Sequence, residues 1–352
     1  MLNIRGALVT RYDSAFSESY DAGRRLADSG YPTEAIAFLG ISELQGIGFQ
    51  TMFRLGGREG IRDILKAGDE RQFAQAVAEA GGRLTADSLR NGWGELRRRI
   101  WANGTQIAGV LADSGVNFCF QGDPEFPKAL HNLPSAYQPL WLFYRGDIGV
   151  LDRPAITIVG TRLPTLNGDF LARYCVSCAR EFAAPVISGL AQGIDRVVHE
   201  WCLQIGLPTV SVMGTGMLTT YPTKHVGLSD AIVAAGGLLV SEYLPHQGPT
   251  GENFVWRNRL QAALGRVVIP AEWARKSGTA HTVRFARKLS RPVFSISLAG
   301  GQRTPDAGEG DRHFVLPHDH GSFMDAIRSE MSVHSISKDS TRTQMDLFSD
   351  NS

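Results

Sequence analysis

The chain has 352 residues, with 36 Lys and Arg against 35 Asp and Glu and a formal net charge of +1. That length fits about two domains plus tails, and near neutrality excludes a uniformly polycationic protein, so any polyanionic partner has to be met by a local cluster. No run approaches the roughly 18 uninterrupted apolar residues of a membrane span, the segment from Met1 to Arg5 has no apolar signal region, and Cys119, Cys175, Cys178 and Cys202 set no disulfide framework, so a cytoplasmic setting is expected.

Taken in order, residues 1–40 read as an extension with a helix near Ser14 to Asp28 and a break at Gly30-Tyr-Pro32. Residues 41–110 read as a helical unit resembling a helix-hairpin-helix or SAM-like domain. Gly46-Ile-Gly48 makes a tight turn ahead of a helix over Phe49 to Leu55, and Asp63 to Ala80 continues as helix. A Gly-x-Gly turn can offer backbone N–H groups to phosphate; a plain helix corner needing glycine at positive φ is the alternative. Arg97-Arg98-Arg99 beside Trp93 and Trp101 forms a basic cluster whose plain reading is a solvated helix face, and Thr105 to Gly115 reads as another helix. Residues 111–153 form a connector, with a strand at Asn117 to Phe120 and an apolar run at Leu140 to Tyr144, packed on the next unit as an extra edge.

Residues 154–298 alternate short apolar, β-branched runs with helix-length segments, the pattern of a buried parallel sheet in an α/β fold. The runs are Ile156 to Val159, Val186 to Ser188, Val210 to Met213, Leu238 to Ser241, Val267 to Ile269 and Val293 to Ile296. Helices are expected over Asn167–Phe182, Gly193–Gln204, Gly227–Ala235, Asn258–Leu264 and Thr279–Leu289. Residues 299–352 change to Gly, Asp, Arg, Pro and His and read as an irregular tail, disordered near its end, with one amphipathic helix at Phe323 to Met331.

In a parallel sheet the ligand crevice lies beyond the carboxyl ends of the strands. The residues gathered there are Gly160, Thr161, Arg162, Ser188, Gly189, Gly193, Gly214, Thr215, Gly216, Glu242 and Glu272, a Gly-rich rim suited to an oxygen-rich, phosphorylated guest. Arg162, Arg257, Arg259 and Lys276 are expected near it, and Ser277-Gly-Thr279 opens a helix whose N-terminus can receive a phosphate oxygen. Glu242 has a second reading, as the holder of Arg257 or Arg259. Catalytic assignments fare poorly. Ser188 has no neighbouring base in its loop, His199 sits in a helix pattern, and Cys175 with Cys178 reads as two packed thiols. No cofactor and no metal set is expected; His313, His318 and His320 lie in the irregular tail.

At these residues the chain resembles the DNA-processing protein A (Smf) family. The ordered matches are Ile158 to Arg162 with Pro164 and Gly168, Ser188-Gly-Leu-Ala-Gln-Gly-Ile-Asp195 with His199, Gly214-x-Gly216 with Tyr221-Pro222, Ser241-Glu-Tyr243, Phe254 with Arg257-Asn-Arg259, and Glu272 with Ser277-Gly278 and Thr282. The resemblance implies an extended Rossmann-like domain behind a helical N-terminal domain, and a non-enzymatic protein that binds single-stranded DNA, protects it, helps load a RecA-type recombinase in transformation and forms a homodimer. Carried over position by position, the DNA-facing residues are Arg162, Ser188, Gly189, Gln192, Arg257, Asn258 and Arg259. Departures include Gln192, where the family often has arginine, His225, Arg196-Val-Val198, Val255 and the absence of a winged-helix pattern after the last strand.

In the polar tail, Gln344-Met-Asp-Leu-Phe348 looks like the peptides that dock in the bacterial sliding clamp, with Leu347 and Phe348 as buried anchors and Gln344 as a polar latch. Two alternatives stay open for the whole chain: a regulatory or antitoxin-like module with a dedicated protein partner in anti-phage defence, and a nucleotide sensor or nucleotide N-glycosidase.

Overall fold

The computed structural model describes residues 30–300 and 310–332. The helix expected at Ser14 to Asp28 and the clamp-like peptide lie outside the described residues. Helices α1 (Thr33–Ser42), α2 (Phe49–Leu55), α3 (Gly57–Ile64), α4 (Glu70–Glu79), α5 (Ala86–Leu89) and α6 (Gly92–Asp113) come first. Three expectations are corrected here. Helix α1 runs across residue 40, because Ala35 to Ile41 are buried in the first core. The helix expected over Asp63 to Ala80 is interrupted: Asp69 Oδ1 accepts from Arg71 and Gln72 N–H at 3.0 and 2.9 Å and starts α4 afresh. Thr105 to Gly115 is no separate helix but the second half of the 22-residue α6.

Helices α1 and α6 cross with their backbones in contact. A Cβ on Gly40 would overlap the Ile100 carbonyl, and one on Gly104 would overlap the Ile36 carbonyl, so each glycine makes room for the other helix. The Gly46 turn serves a similar purpose: Arg83 N–H donates to its carbonyl at 3.0 Å, and a Cβ there would strike the Arg83 backbone. In the arginine cluster, Arg98 pairs with Glu95 at 2.7 Å and Arg99 donates to the Ser88 carbonyl at 2.5 Å, so these two guanidiniums serve helix contacts.

The seven-stranded sheet has the order β1-β2-β6-β5-β4-β3-β7. Its strands are β1 (Val116–Phe120), β2 (Trp141–Gly146), β3 (Ile156–Val159), β4 (Val186–Ser188), β5 (Thr209–Val212), β6 (Leu238–Ser241) and β7 (Val267–Pro270). The last five are parallel, and β1 and β2 extend the sheet as an antiparallel edge, as expected of the connector. The fold is thus the mostly parallel, Rossmann-like α/β architecture read from the sequence, behind N-terminal helices. A short helix α7 (Lys128–His131) lies in the connector. Helices α8 (Leu166–Glu181) and α9 (Ile194–Ile205) bury one face of the sheet, α10 (Val226–Ala234) follows β5, and α11 (Gly251–Leu264) and α12 (Gly278–Lys288) cover the other face. All four cysteines are buried free thiols.

Two further corrections concern the end of the chain. Strand β8 (Phe294–Leu298) leaves the main sheet after one bridge and pairs in parallel with β9 (Arg312–Leu316). The region read as irregular therefore contributes a strand, and the helix expected at Phe323 to Met331 is present as α13 (His320–Ser332). Phe314, Leu316, Phe323 and Ile327 close the core beneath α8 and α9.

The helical unit, the connector and the sheet meet at one polar contact. Glu242, just past β6, takes Arg259 of α11 in a two-pronged ion pair with both distances at 2.5 Å; Arg259 is fully buried and Glu242 is 1% exposed. Arg259 Nε also donates to the Tyr137 carbonyl at 2.9 Å, and its guanidinium lies 4.1 Å from the Trp256 ring. Trp141 Nε1 donates to the Glu242 carbonyl at 2.7 Å, while its ring packs on Phe38 of α1. Removing one partner leaves an uncompensated buried charge, a loss of about 3–5 kcal/mol. Arg259→Ala or Glu242→Ala is expected to lower unfolding free energy by that amount in urea denaturation, while Arg98→Ala on the exposed face of α6 changes it by less than about 1 kcal/mol.

Candidate functional site

The sheet adds strands in one direction from β3 to β6, then α11 carries the chain back so that β7 joins the far side of β3. The crevice at such a reversal lies beyond the ends of β3 and β7. A cavity of about 400 Å³ occupies it, walled by Gly160, Thr161 and Arg162 after β3, Ala191 and Asp195 after β4, Phe254, Arg257, Asn258 and Gln261 of α11, and Ser277, Gly278, Thr279 and Thr282 at the start of α12. A second cavity of about 110 Å³ adjoins it through Arg162, Ala191, Phe254 and Arg257, and reaches Gln192, Gly214 and Tyr221.

The structure brings Gly160, Thr161, Arg162, Arg257, Asn258 and Ser277 to the larger cavity, and Gln192 and Gly214 to the smaller. Arg162 and Lys276 are exposed and, among the described residues, make no ion pair. Ser277 caps α12, its Oγ accepting from Ala280 N–H at 3.3 Å, and Ser277, Gly278 and Thr279 place the first turn of that helix in the cavity wall. Gln192 Oε1 accepts from Lys224 Nζ at 2.8 Å, so a cation stands beside the position where the sequence alone suggested a lost positive charge.

Several expected ligand residues turn inward instead. Arg259 is corrected from a phosphate contact to a buried structural cation, because Glu242 takes both its terminal nitrogens; Glu242 leaves the rim with it. Ser188 is fully buried and donates to the Ile158 carbonyl at 2.7 Å. The glycines expected to cradle phosphate mostly admit other parts of the protein. A Cβ on Gly189 would collide with the Asp195 carboxylate and stand 2.7 Å from Arg257 Nη1, and one on Gly216 would meet the Leu244 and Pro245 backbone. Gly193, at φ +88°, lets the Thr161–Arg162 backbone pass directly over it, and Ile194 N–H donates to the Thr161 carbonyl at 3.0 Å. Glu272 is part of this clamp rather than a ligand: its carbonyl accepts from Thr161 N–H at 2.7 Å and its carboxylate from Thr165 N–H at 2.9 Å. The Arg284 to Arg291 group is likewise committed in part, Arg287 to Asp311 at 2.6 Å and Arg291 to the Ala263 carbonyl at 3.1 Å.

Beneath the rim lies a buried polar layer. Burial pushes the Asp195 carboxyl up, against the pull of Arg257 and a hydrogen bond from Ala191 N–H. The same burial draws the Arg257 guanidinium down, with Asp195 opposing. Arg257 donates through Nε to Asn258 Oδ1 at 3.1 Å and through Nη1 to the Val212 carbonyl. Thr279 stands in the wall as part of the helix opening read from the sequence. Asp195, Phe254 and Thr282, which entered only as family-match positions, also belong to the cavity walls, and Gln261, which the sequence reading did not single out, joins them. A polar residue inside the buried run Leu260 to Leu264 was the available signal for Gln261.

His199 Nε2 donates to the Gly189 carbonyl, and Nδ1 lies 2.8 Å from Thr209 Oγ1. Burial depresses its pKa from 6.5 to about 4, so the folded state holds it neutral. A depressed folded pKa gives stability that is complete above the unfolded value and lost as pH falls through the folded one. Unfolding free energy is therefore expected to drop by about 3 kcal/mol more between pH 7 and pH 4 in the natural chain than in His199→Asn, as read by urea denaturation at both pH values.

The family model of DNA recombination-mediator protein A matches residues 117–314. Protein Smf of Synechocystis sp. is 35% identical over 291 residues, 81% of this chain and 69% of that protein. Protein Smf of Escherichia coli is 34% identical over 176 residues, 49% of this chain and 46% of that protein. The X-ray structure of DNA processing protein A (DprA) from Streptococcus pneumoniae matches with a TM-score of 0.56 at 25% identity, covering 83% of this chain and 98% of that one. The chain thus spans about half the length of the Escherichia coli relative and about two thirds of the cyanobacterial one.

Proposed function

The chain belongs to the DNA recombination-mediator protein A family, and on that premise we propose that it binds single-stranded DNA without catalysing a reaction on it. The observation that carries this reading is the pair of adjoining cavities that share the Arg162–Phe254–Arg257 wall, so that two arginines and one aromatic ring border both. Arg162 lies 5.8 Å from the Phe254 ring, and Tyr221, 43% exposed, packs on the same ring at 5.6 Å. Cations beside open aromatic faces suit a strand whose bases stack and whose phosphates follow a positive groove. The helix N-terminus at Ser277 and the exposed Lys276 extend the positive potential along the rim.

The side chains that could attack a substrate are engaged elsewhere. The Ser188 hydroxyl is committed to Ile158, and His199 is committed to Gly189 and Thr209. Protection of the bound strand, transfer to a RecA-type recombinase and homodimer formation are the further activities we attach to this reading from family membership.

Titration of labelled single-stranded DNA by fluorescence anisotropy, with duplex as competitor and at several salt concentrations, tests the proposal. The natural chain is expected to prefer the single strand and to lose affinity as salt rises. Arg162→Ala with Lys276→Ala should weaken binding about tenfold and flatten the slope of log K against log salt by about 1.4, at about 0.7 per phosphate contact on single strands. Equal competition by duplex, or an unchanged slope in the double variant, would reject the reading.

For the tail we propose sliding-clamp docking through Gln344, Leu347 and Phe348. Leu347→Ala with Phe348→Ala should abolish co-elution with a bacterial clamp in size-exclusion chromatography; co-elution that persists would dismiss the peptide.

A further inference from the structure

On other helices of this protein, surface cations commonly meet an acid one turn away. Arg98 pairs with Glu95 at 2.7 Å, Arg196 with Glu200 at 3.2 Å and Arg328 with Asp325 at 2.5 Å. Helix α12 breaks this pattern: from Gly278 to Lys288 it reads Gly-Thr-Ala-His-Thr-Val-Arg-Phe-Ala-Arg-Lys and contains no acidic residue. Arg287 reaches Asp311 at 2.6 Å, outside the helix. Arg284 and Lys288 are exposed and join no ion pair among the described residues.

The helix buries Thr279, Ala280, Thr282, Val283 and Ala286 and leaves His281, Arg284, Phe285 and Lys288 on its outer side. Neighbours in that set are three or four residues apart, so the four form one stripe. Arg284 Nη2 donates to His281 Nδ1 at 2.8 Å, which holds the guanidinium along the stripe. Phe285 meets Tyr137 edge-on with ring centroids 5.9 Å apart, and Tyr137 lies 5.8 Å from the Trp256 ring of α11; all three rings are half-buried. Two cations without an acid therefore flank the end of an aromatic row.

The stripe starts where the crevice ends. Ser277, Gly278 and Thr279 line the larger cavity, and at 1.5 Å per residue Arg284 and Lys288 stand about 11 and 17 Å beyond Ser277 along the helix axis. Cations spaced along a line suit a polyanion and rings beside them suit its bases, whereas one compact anion needs cations that converge. We propose that the outer face of α12 is a second strand-binding surface outside the crevice: Arg284 and Lys288 hold the phosphates of single-stranded DNA that continues past the mouth, with Phe285 and Tyr137 beside its bases. This deepens the single-strand reading and rests on it for the identity of the polyanion.

The test uses the full chain with labelled (dT)20 and labelled (dT)4 in fluorescence anisotropy over a salt series. Arg284→Ala with Lys288→Ala is expected to weaken (dT)20 about tenfold and to flatten its slope of log K against log salt by about 1.4, two contacts at about 0.7 each. The tetramer, short enough to stay in the crevice, should bind this variant and the natural chain alike. Arg196→Ala with Arg328→Ala removes the same number of cations elsewhere on the surface and should leave both strands unchanged. Arg284→Gln with Lys288→Gln serves the same purpose should the alanine pair not fold.

An unchanged (dT)20 slope in the α12 variant overturns the surface. So does an equal loss with (dT)4 or in the Arg196 and Arg328 variant, because the cations then act within the crevice or only through the general field. If (dT)20 binds and its slope flattens in Arg162→Ala with Lys276→Ala but not in the α12 variant, the surface fails while the single-strand reading stands. If the α12 variant alone flattens the slope, the surface stands and the crevice assignment fails. No binding of (dT)20 by the natural chain at low salt removes both.

Discussion

The buried fork between Glu242 and Arg259 sets the rotation of α11, and the site depends on that rotation. Glu242 directly follows β6 and Arg259 lies 17 residues later, so the pair ties the helix to the end of the preceding strand. On an α-helix, residues four apart share a face and residues two apart diverge. Holding Arg259 towards Glu242, Tyr137 and Trp256 leaves Arg257 and Gln261 on the cavity side. A hydrophobic residue at 259 could fill the volume, but it would make no directional contact with Glu242 to fix the turn of α11. The ion pair supplies direction, which packing alone supplies weakly.

Around that axis the rim is assembled mostly from backbone. Gly193 and Gly160 allow the loops after β3 and β4 to touch, and Glu272 fastens both ends of the β3 loop through Thr161 and Thr165. The consequence is a fixed position for Arg162, an exposed cation at the junction of the two cavities. Below it, Asp195 and Arg257 share a low-dielectric layer where burial weakens both charges, and Asn258, Ala191 and Val212 provide their hydrogen bonds. The site therefore joins an open positive mouth to a buried polar interior at the point where the strand order reverses.

Much of the fold was legible along the chain. The apolar runs read at 156–159, 186–188, 210–213, 238–241 and 267–269 are strands to within one residue, and the helix read as opening at Ser277-Gly-Thr279 opens there. The misreadings have specific causes. Arg257-Asn-Arg259 looked like the start of a helix, but Thr250 caps α11 seven residues before Arg257, because its side chain takes the Asn253 N–H at 3.1 Å. Strand β9 carries Arg312 and His313 ahead of Phe314, so its apolar signal was too short to separate from a loop. The glycines were ambiguous in kind, since a missing Cβ admits a ligand or another backbone equally well. At 189, 193 and 216 the close neighbour is the protein itself.

The sequence by itself determined the alternation of strands and helices, the parallel sheet and the end of that sheet on which a ligand would lie. Those features follow from apolar runs, caps and chain direction within a few residues. Only the tertiary structure decided which charges face the cavity, which glycines merely let loops touch, and that Gln261 is polar inside the core. Each of those depends on the phase of α11 against the sheet and on contacts between residues far apart in the chain, and residue spacing carries no record of either.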